Sequence, residues 1–359
     1  MSVRRSFSLF ILIVMISIVS VLFFSIDGAT FQIIKNADSS LLMLSVLLVV
    51  VVWCLDSFKF VCLSKVAGEN LSFRKTLSVV WINYFGCAIT PMQSGGGPFQ
   101  IYLLYKNGVA VGKSVAITFV RTLQILFILG IIVPFAFITE REFIEQHFLL
   151  RVFVCYVGIF LFLIVSLLVI SFTRPHWIKR WTSWFLIKFQ KFGIIKPRKL
   201  LCAVRWVNKE VDNYSINIRL FVSSGKKWFF ISFIVAIAHL LVYMSIMPCL
   251  ILAMGFEVEF MQCLLAESLF LFFLYFVPTP GASGAAEGGA TAIFALFVPW
   301  NLAGVMAIAW RVISEYSGVL LGTLITIKLF GWGHVEEVLC EERAKLVDDK
   351  SKENRTNSL

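Results

Sequence analysis

The chain has 359 residues, of which 59% are hydrophobic and only 15% charged. Soluble domains carry roughly 25% charged residues, so this apolar excess excludes an ordinary water-soluble globule and makes the bilayer the expected solvent. The formal charge of +11 falls in loops between apolar runs without the pattern of any nucleic-acid-binding module. It therefore reads as a topology signal and an attraction for anionic headgroups, with no nucleic-acid partner expected.

In chain order, Arg4 and Arg5 precede an uncharged run from Phe7 to Ile26. The run is long enough to cross ~30 Å of hydrocarbon and no convincing small-x-small cleavage site follows, so an uncleaved first span is expected rather than a signal peptide. Further apolar runs cover Leu41–Leu55, Val115–Ile138, Val152–Phe172, Trp228–Met254 and Ala303–Phe330. Two other regions, Leu77–Leu104 and Phe260–Val298, are apolar but broken near the middle. The breaks are Thr90-Pro91-Met92-Gln93-Ser94-Gly95-Gly96-Gly97-Pro98 and Pro278-Thr279-Pro280-Gly281-Ala282-Ser283-Gly284. Helix cannot run through either. Irregular backbone at membrane depth survives only where protein or a water-filled cavity satisfies it, so each region reads as a re-entrant hairpin of two half-helices.

The two breaks are alike. Thr90, Pro91, Ser94 and Gly95 correspond to Thr279, Pro280, Ser283 and Gly284 at one offset, and Val115 and Arg121 to Val305 and Arg311 with one residue inserted. If each half holds three spans and one hairpin, the odd number of crossings inserts the second half upside down. Basic residues agree with cytoplasmic termini: the segments expected outside hold only Lys35, Arg141 and Arg151, while thirteen lie between Arg174 and Lys227. The expected fold is thus an all-α integral membrane protein built as an inverted-topology repeat of about eight membrane elements. The first repeat would occupy residues 1–139 and the second 140–330. Trp177, Trp181, Trp184, Phe185 and Lys188 at helical spacing mark a cytoplasmic amphipathic insert in 174–227, and a disordered cytoplasmic tail is expected over 331–359.

Ionisable groups inside apolar spans cost ~2.5–3.5 kcal/mol each on insertion scales and persist mainly where they face a cavity or a partner. Those that stand out are Arg121, Glu267, Glu287, Arg311 and Glu315, the last one turn after Arg311. Arg121 and Arg311 are expected to line a cavity and pair with a phosphate-bearing headgroup, with Glu287 and Glu315 orienting them or meeting a cationic substituent. Glu267 is a weaker member of the same set. The tips, through Pro91, Gly95, Gly96, Pro98, Pro280, Gly281, Ser283 and Gly284, would supply backbone N–H groups and hinges. An alternative is that these charges only pin helices together. His239 reads as a hydrogen-bonded packing residue, and Asp56 with Lys59 as a pair at the inner edge of the second span. The eight cysteines are scattered and the four histidines lack metal-ligand spacing, so neither a disulfide frame, a metal site nor a cofactor is expected. Gly108-Val109-Ala110-Val111-Gly112-Lys113-Ser114 has one residue too few for a phosphate loop and follows no strand.

At the two broken motifs the sequence resembles the transmembrane, flippase-like region of lysylphosphatidylglycerol synthases. The residues that carry the resemblance are Thr90-Pro91, Gly95-Gly96-Gly97-Pro98, Gln100-Ile101-Tyr102-Leu103-Leu104, Gly108 and Arg121, then Pro278 to Gly284, Glu287-Gly288 and Trp310-Arg311. Ala282 and Ala285 stand where many relatives have glycine or another small residue. The resemblance implies a multi-pass protein of a prokaryotic plasma membrane that moves lipid between leaflets. It also implies that aminoacyl transfer belongs to a separate soluble domain, which is not expected here. The leading expectation is a protein that binds and translocates a phospholipid or lipid-linked headgroup, supplied by a partner synthase or glycosyltransferase. Alternatives are a phosphatidylglycerol lysyltransferase-type lipid-modifying enzyme or its membrane subunit, and a small-molecule secondary transporter.

Overall fold

The computed structural model describes residues 3–25, 28–156, 158–159, 225–275 and 277–329. Most of the expected Val152–Phe172 span, nearly all of the 174–227 insert and the tail lie outside these residues. The described residues form helices throughout, joined by short turns, with no strand among them.

The elements are α1 (Val3–Ser25), α2 (Gly28–Lys35), α3 (Ser39–Val66), α4 (Phe73–Ala88), α5 (Gly96–Lys106), α6 (Val111–Thr139), α7 (Arg141–Gln146), α8 (Lys226–Met244), α9 (Ile246–Ala253), α10 (Phe260–Leu274), α11 (Ala285–Phe294) and α12 (Trp300–Arg311). A π-helical turn over Val312–Tyr316 carries α12 onward to Leu329. Among the described residues, four helices are long and apolar enough to cross a membrane: Ser39–Val66, Val111–Ile132, Lys226–Ala253 and Trp300–Leu329. The first begins where the Asp38 carboxylate accepts the free N–H groups of Ser40 and Leu41. The third is interrupted at Ser245, where Pro248 has no N–H to donate to the Met244 carbonyl and its ring crowds that group.

The broken regions do what their prolines and glycines demand. Helix α4 ends at Ala88 and α5 starts at Gly96; α10 ends at Leu274 and α11 starts at Ala285. At 1.5 Å per residue, their 16, 11, 15 and 10 residues reach about 24, 17, 23 and 15 Å, each short of the ~30 Å hydrocarbon core. Each pair folds back on itself. A Cβ on Gly86 would sit 2.7 Å from the Gly95 carbonyl oxygen, so only glycine lets α4 and the start of α5 approach this closely.

The two tips meet. Pro91 and Pro280 form an isolated antiparallel β-bridge. Met92 N–H donates to the Val277 carbonyl at 3.1 Å, and Gly281 N–H to the Cys87 carbonyl at 3.2 Å. The tips also share internal geometry. Ser94 Oγ donates to the Pro91 carbonyl and Ser283 Oγ to the Pro280 carbonyl, both at 2.8 Å. Met92 and Gln93 have φ of 54° and 52°, and their counterparts Gly281 and Ala282 have 61° and 56°. Three of these four residues are not glycine, and the left-handed region costs roughly 1–2 kcal/mol for each.

Around the tips the long helices pack in pairs, α3 along α8 and α12 beside α11 and α1. Their outer faces carry bare apolar side chains such as Leu12, Met43, Leu47, Phe127, Ile131 and Leu324, the surface that lipid covers. The close approach in the first hairpin gives a prediction. Gly86→Ala should destabilise the purified protein by about 1–3 kcal/mol through overpacking. Gly97→Ala, whose Cβ would have 3.8 Å to its nearest neighbour, should leave the thermal midpoint in detergent unchanged.

Candidate functional site

Between the first tip, α3, α6, α8, α10 and α12 lies an internal cavity of about 400 Å³. Its walls come from largely apolar helices, yet many of the side chains that reach it are polar. They include Arg121, Asp56 and His239 on one side, Arg311 and Glu315 on another, and Asn83, Gln93 and Gln100 from the first hairpin.

Arg121 makes a two-pronged contact with Asp56, Nε to Oδ1 at 3.1 Å and Nη2 to Oδ2 at 2.6 Å. Lys59, one turn along α3 from Asp56, places its Nζ 2.8 Å from the same Oδ1 and is fully buried. The guanidinium of Arg121 also stands over the Phe60 ring at 5.2 Å. One carboxylate therefore holds two cations, and this wall carries a surplus positive charge.

Arg311 ends α12, 2% exposed, and is held from three directions. Its Nη2 donates to the Gly281 carbonyl at 3.3 Å, its Nε lies 3.5 Å from Glu287 Oε1, and the Tyr316 ring sits 5.3 Å away. Glu287 in turn accepts the Gly284 N–H at 2.5 Å and the Tyr316 hydroxyl, capping α11 from inside its first turn. The π turn after Arg311 is closed by the Ser317 N–H on the Val312 carbonyl. It spreads Glu315 and Tyr316 so that Glu315 joins the cavity wall while Tyr316 reaches Glu287.

The structure thus brings Arg121, Arg311 and Glu315 to one cavity. The other expected residues are placed differently. Glu287 is buried behind Arg311 and orients it, without lining the cavity. Glu267 stands apart in a small apolar void beside Trp310, because its face of α10 packs on α9, α11 and α12 instead of on the cavity. The first tip lines the cavity through Met92, Gln93, Ser94 and Gly97. Pro91, Gly95, Gly96 and Pro98 support it from outside the wall. The second tip, with Pro280, Gly281, Ser283 and Gly284, reaches the site only through the Gly281 carbonyl on Arg311.

Two expectations are corrected. Asp56 and Lys59 are not an interfacial pair: they are 3% and 0% exposed, and Asp56 is the partner of Arg121. His239 is not a satisfied packing residue: it lines the cavity and its Nδ1 has no hydrogen-bond partner. Gln100, whose Oε1 is likewise unpartnered, was not expected as a cavity residue. The signal available for Asp56 was its charge beside an apolar run; that for Gln100 was its place in the motif that carries the family resemblance.

No group of three or more potential metal ligands occurs among the described residues. The site offers charge, hydrogen-bond donors and a limited volume, the means to bind a polar head carrying an anionic group. Removing the shared carboxylate tests its role. Asp56→Ala leaves two buried cations facing each other and should cost about 3–5 kcal/mol, read as a fall in the thermal or denaturant midpoint. Asp56→Glu should recover part of that loss.

Comparison with known proteins adds an independent finding. A curated relative described as a UPF0104 membrane protein, from Archaeoglobus fulgidus, is 24% identical over 316 residues, covering 87% of this chain and 94% of the relative. The family described as "Lysylphosphatidylglycerol synthase TM region" matches residues 8–322, a stretch that takes in both broken hairpins and every cavity-lining side chain named above. The chain therefore belongs to the family of the lysylphosphatidylglycerol synthase transmembrane region.

Proposed function

We propose that this protein binds the headgroup of a phospholipid or lipid-linked substrate in the Arg121–Arg311 cavity and carries it between leaflets. The observation that carries the reading is the cavity itself: two arginines, one from each half of the chain, face one partly open space in the helical interior. Its volume of about 400 Å³ suits a headgroup and leaves no room for acyl chains, which would stay in the bilayer. Arg121 and Lys59 share one carboxylate, and the net positive charge of this cluster favours a phosphate beside Arg121, the cation of the two that lines the cavity. Gln100 Oε1 and His239 Nδ1 are unpartnered polar atoms of the same lining, and burial of such groups is offset when a bound polar head satisfies them.

An inverted repeat supplies the motion. Matching positive-φ residues, matching serine bonds and the antiparallel Pro91–Pro280 bridge support two halves related by a two-fold axis in the membrane plane. Rocking of one half against the other about the joined tips would open the cavity to each side in turn. Cytoplasmic termini and an outward α6–α7 turn follow from the distribution of basic residues.

In proteoliposomes, Arg121→Gln and Arg311→Gln should each slow translocation of a fluorescent phosphatidylglycerol analogue by at least tenfold while the purified protein stays folded. Normal rates in both variants reject the headgroup site. Mass spectrometry of lipid retained by the purified protein should find a phosphate-bearing species enriched over bulk membrane and depleted in the same variants. A cysteine at the exposed Glu142 should label with an impermeant reagent from outside cells; labelling only after lysis reverses the orientation.

A further inference from the structure

Among the described residues, Glu267 is the one interior acid that neither the cavity nor its supporting bonds use. Among the described residues, the cations enclosed by the fold or lining its cavity are Lys59, Arg121 and Arg311, and the acids are Asp56, Glu267, Glu287 and Glu315. Three of these acids lie with the cations. Asp56 binds Lys59 and Arg121, Glu287 binds Arg311, and Glu315 shares the cavity wall with Arg311 and Arg121. Three negative charges against three positive ones leave the interior neutral, and a fourth ionised carboxylate would have no counter-charge.

Glu267 occupies the position where that fourth charge would be least tolerable. It is 1% exposed, and neither carboxyl oxygen has a hydrogen-bond partner. The void it faces has a volume of about 10 Å³, too small to hold more than a single water. Met247 of α9, Ala290, Ile293 and Phe294 of α11, Phe270 of its own helix and Trp310 of α12 line that void, and none carries a charge. The titratable groups within its field are Cys263, one turn earlier on α10, and Tyr243 of α8, whose ring packs against Trp310 at 6.2 Å. The indole Nε1–H of Trp310 lines the same void and is the polar group that interacts with the carboxyl, although the two stand outside hydrogen-bond geometry. An isolated carboxylate in such surroundings is far more costly than the neutral acid.

We propose that Glu267 is a proton-binding site that couples movement of the second hairpin to proton uptake and release. In the conformation seen here the carboxyl carries its proton, sealed between α10, α11 and α12. When the hairpin shifts away from Trp310 and water enters the void, the O–H bond breaks, the proton passes to that water and the carboxylate keeps the electron pair. Closure requires a proton to return, so a gradient of protons biases which conformation is populated. The location strengthens the link to the cavity: Trp310 directly precedes Arg311, α10 runs into Tyr275 of the cavity wall, and α11 carries Glu287, which holds Arg311.

Proton binding is tested apart from lipid movement, on which the coupling half of the proposal rests. Infrared spectroscopy of the full chain in nanodiscs at neutral pH should show a protonated-carboxyl C=O band that Glu267→Gln removes and Glu315→Gln leaves in place. A missing band, or one that survives Glu267→Gln, overturns the proton site. If Glu267→Gln does not fold, Trp310→Phe serves instead: removing the indole N–H should shift the band, and an unshifted band overturns the placement beside Trp310. Coupling is then read in vesicles of phosphatidylethanolamine and phosphatidylglycerol with a fluorescent phosphatidylglycerol probe. A one-unit pH gradient should change the wild-type initial rate by up to about tenfold, the factor one pH unit carries. Glu267→Gln should keep the gradient-free rate and lose the response. An equal response in both proteins overturns the coupling. Absence of any probe movement in the wild type rejects the translocation reading and with it the coupling, and leaves the infrared result to decide the proton site.

Discussion

Backbone polar groups exposed at two broken hairpins have to find partners where water is scarce, and the tips find them in each other. Non-helical backbone inside hydrocarbon leaves N–H and C=O groups that cost several kcal/mol apiece when unpaired. Here the Met92 and Gly281 N–H groups each reach a carbonyl near the end of the opposite leading helix, across the Pro91–Pro280 bridge. This mutual satisfaction fixes where the four half-helices stand, and therefore where α6 and α12 can present their arginines. It also explains the tolerance of left-handed backbone at Met92, Gln93 and Ala282. Strain of that kind persists when the surroundings over-determine the conformation.

Charge in the interior follows the same rule of internal satisfaction. Among the described residues, each interior arginine is anchored by a carboxylate, Arg121 by Asp56 and Arg311 by Glu287, and each anchor is itself held: Asp56 by Lys59, Glu287 by the Gly284 N–H and the Tyr316 hydroxyl. The anchors fix the guanidinium groups in place, which would lower the ordering cost of binding the proposed headgroup. They also leave the two walls of the cavity unequal. The Asp56 side has more cation than acid, and the Arg311 side, with Glu287 and Glu315, has more acid than cation.

Much of this could be read from residue order. Periodic apolar runs locate helices because lipid accepts their side chains wherever they point, and Pro-Gly clusters locate breaks because proline lacks an N–H. The likeness of Thr90-Pro91 to Thr279-Pro280 was visible as identity at a constant offset. The pairing of Arg121 was not. Asp56 sits near the end of an apolar run and looks interfacial, and only the packing of α3 against α6 and α8 buries it. Glu315 and Arg311 suggest a simple one-turn pair, but the π turn between them hands Glu287 and Tyr316 the task of holding the guanidinium.

The sequence by itself determined that this is a helical membrane protein with two interrupted hairpins and a small set of charges that must be sheltered, since composition, span length and helix breakers are local properties of the chain. Only the tertiary structure decided which charges share a cavity, that the tips lock together, and that Glu267 is left alone in an apolar void. Those outcomes depend on which helix faces meet, and residues 65 positions apart, such as Asp56 and Arg121, become neighbours only when the long helices pack around the joined tips.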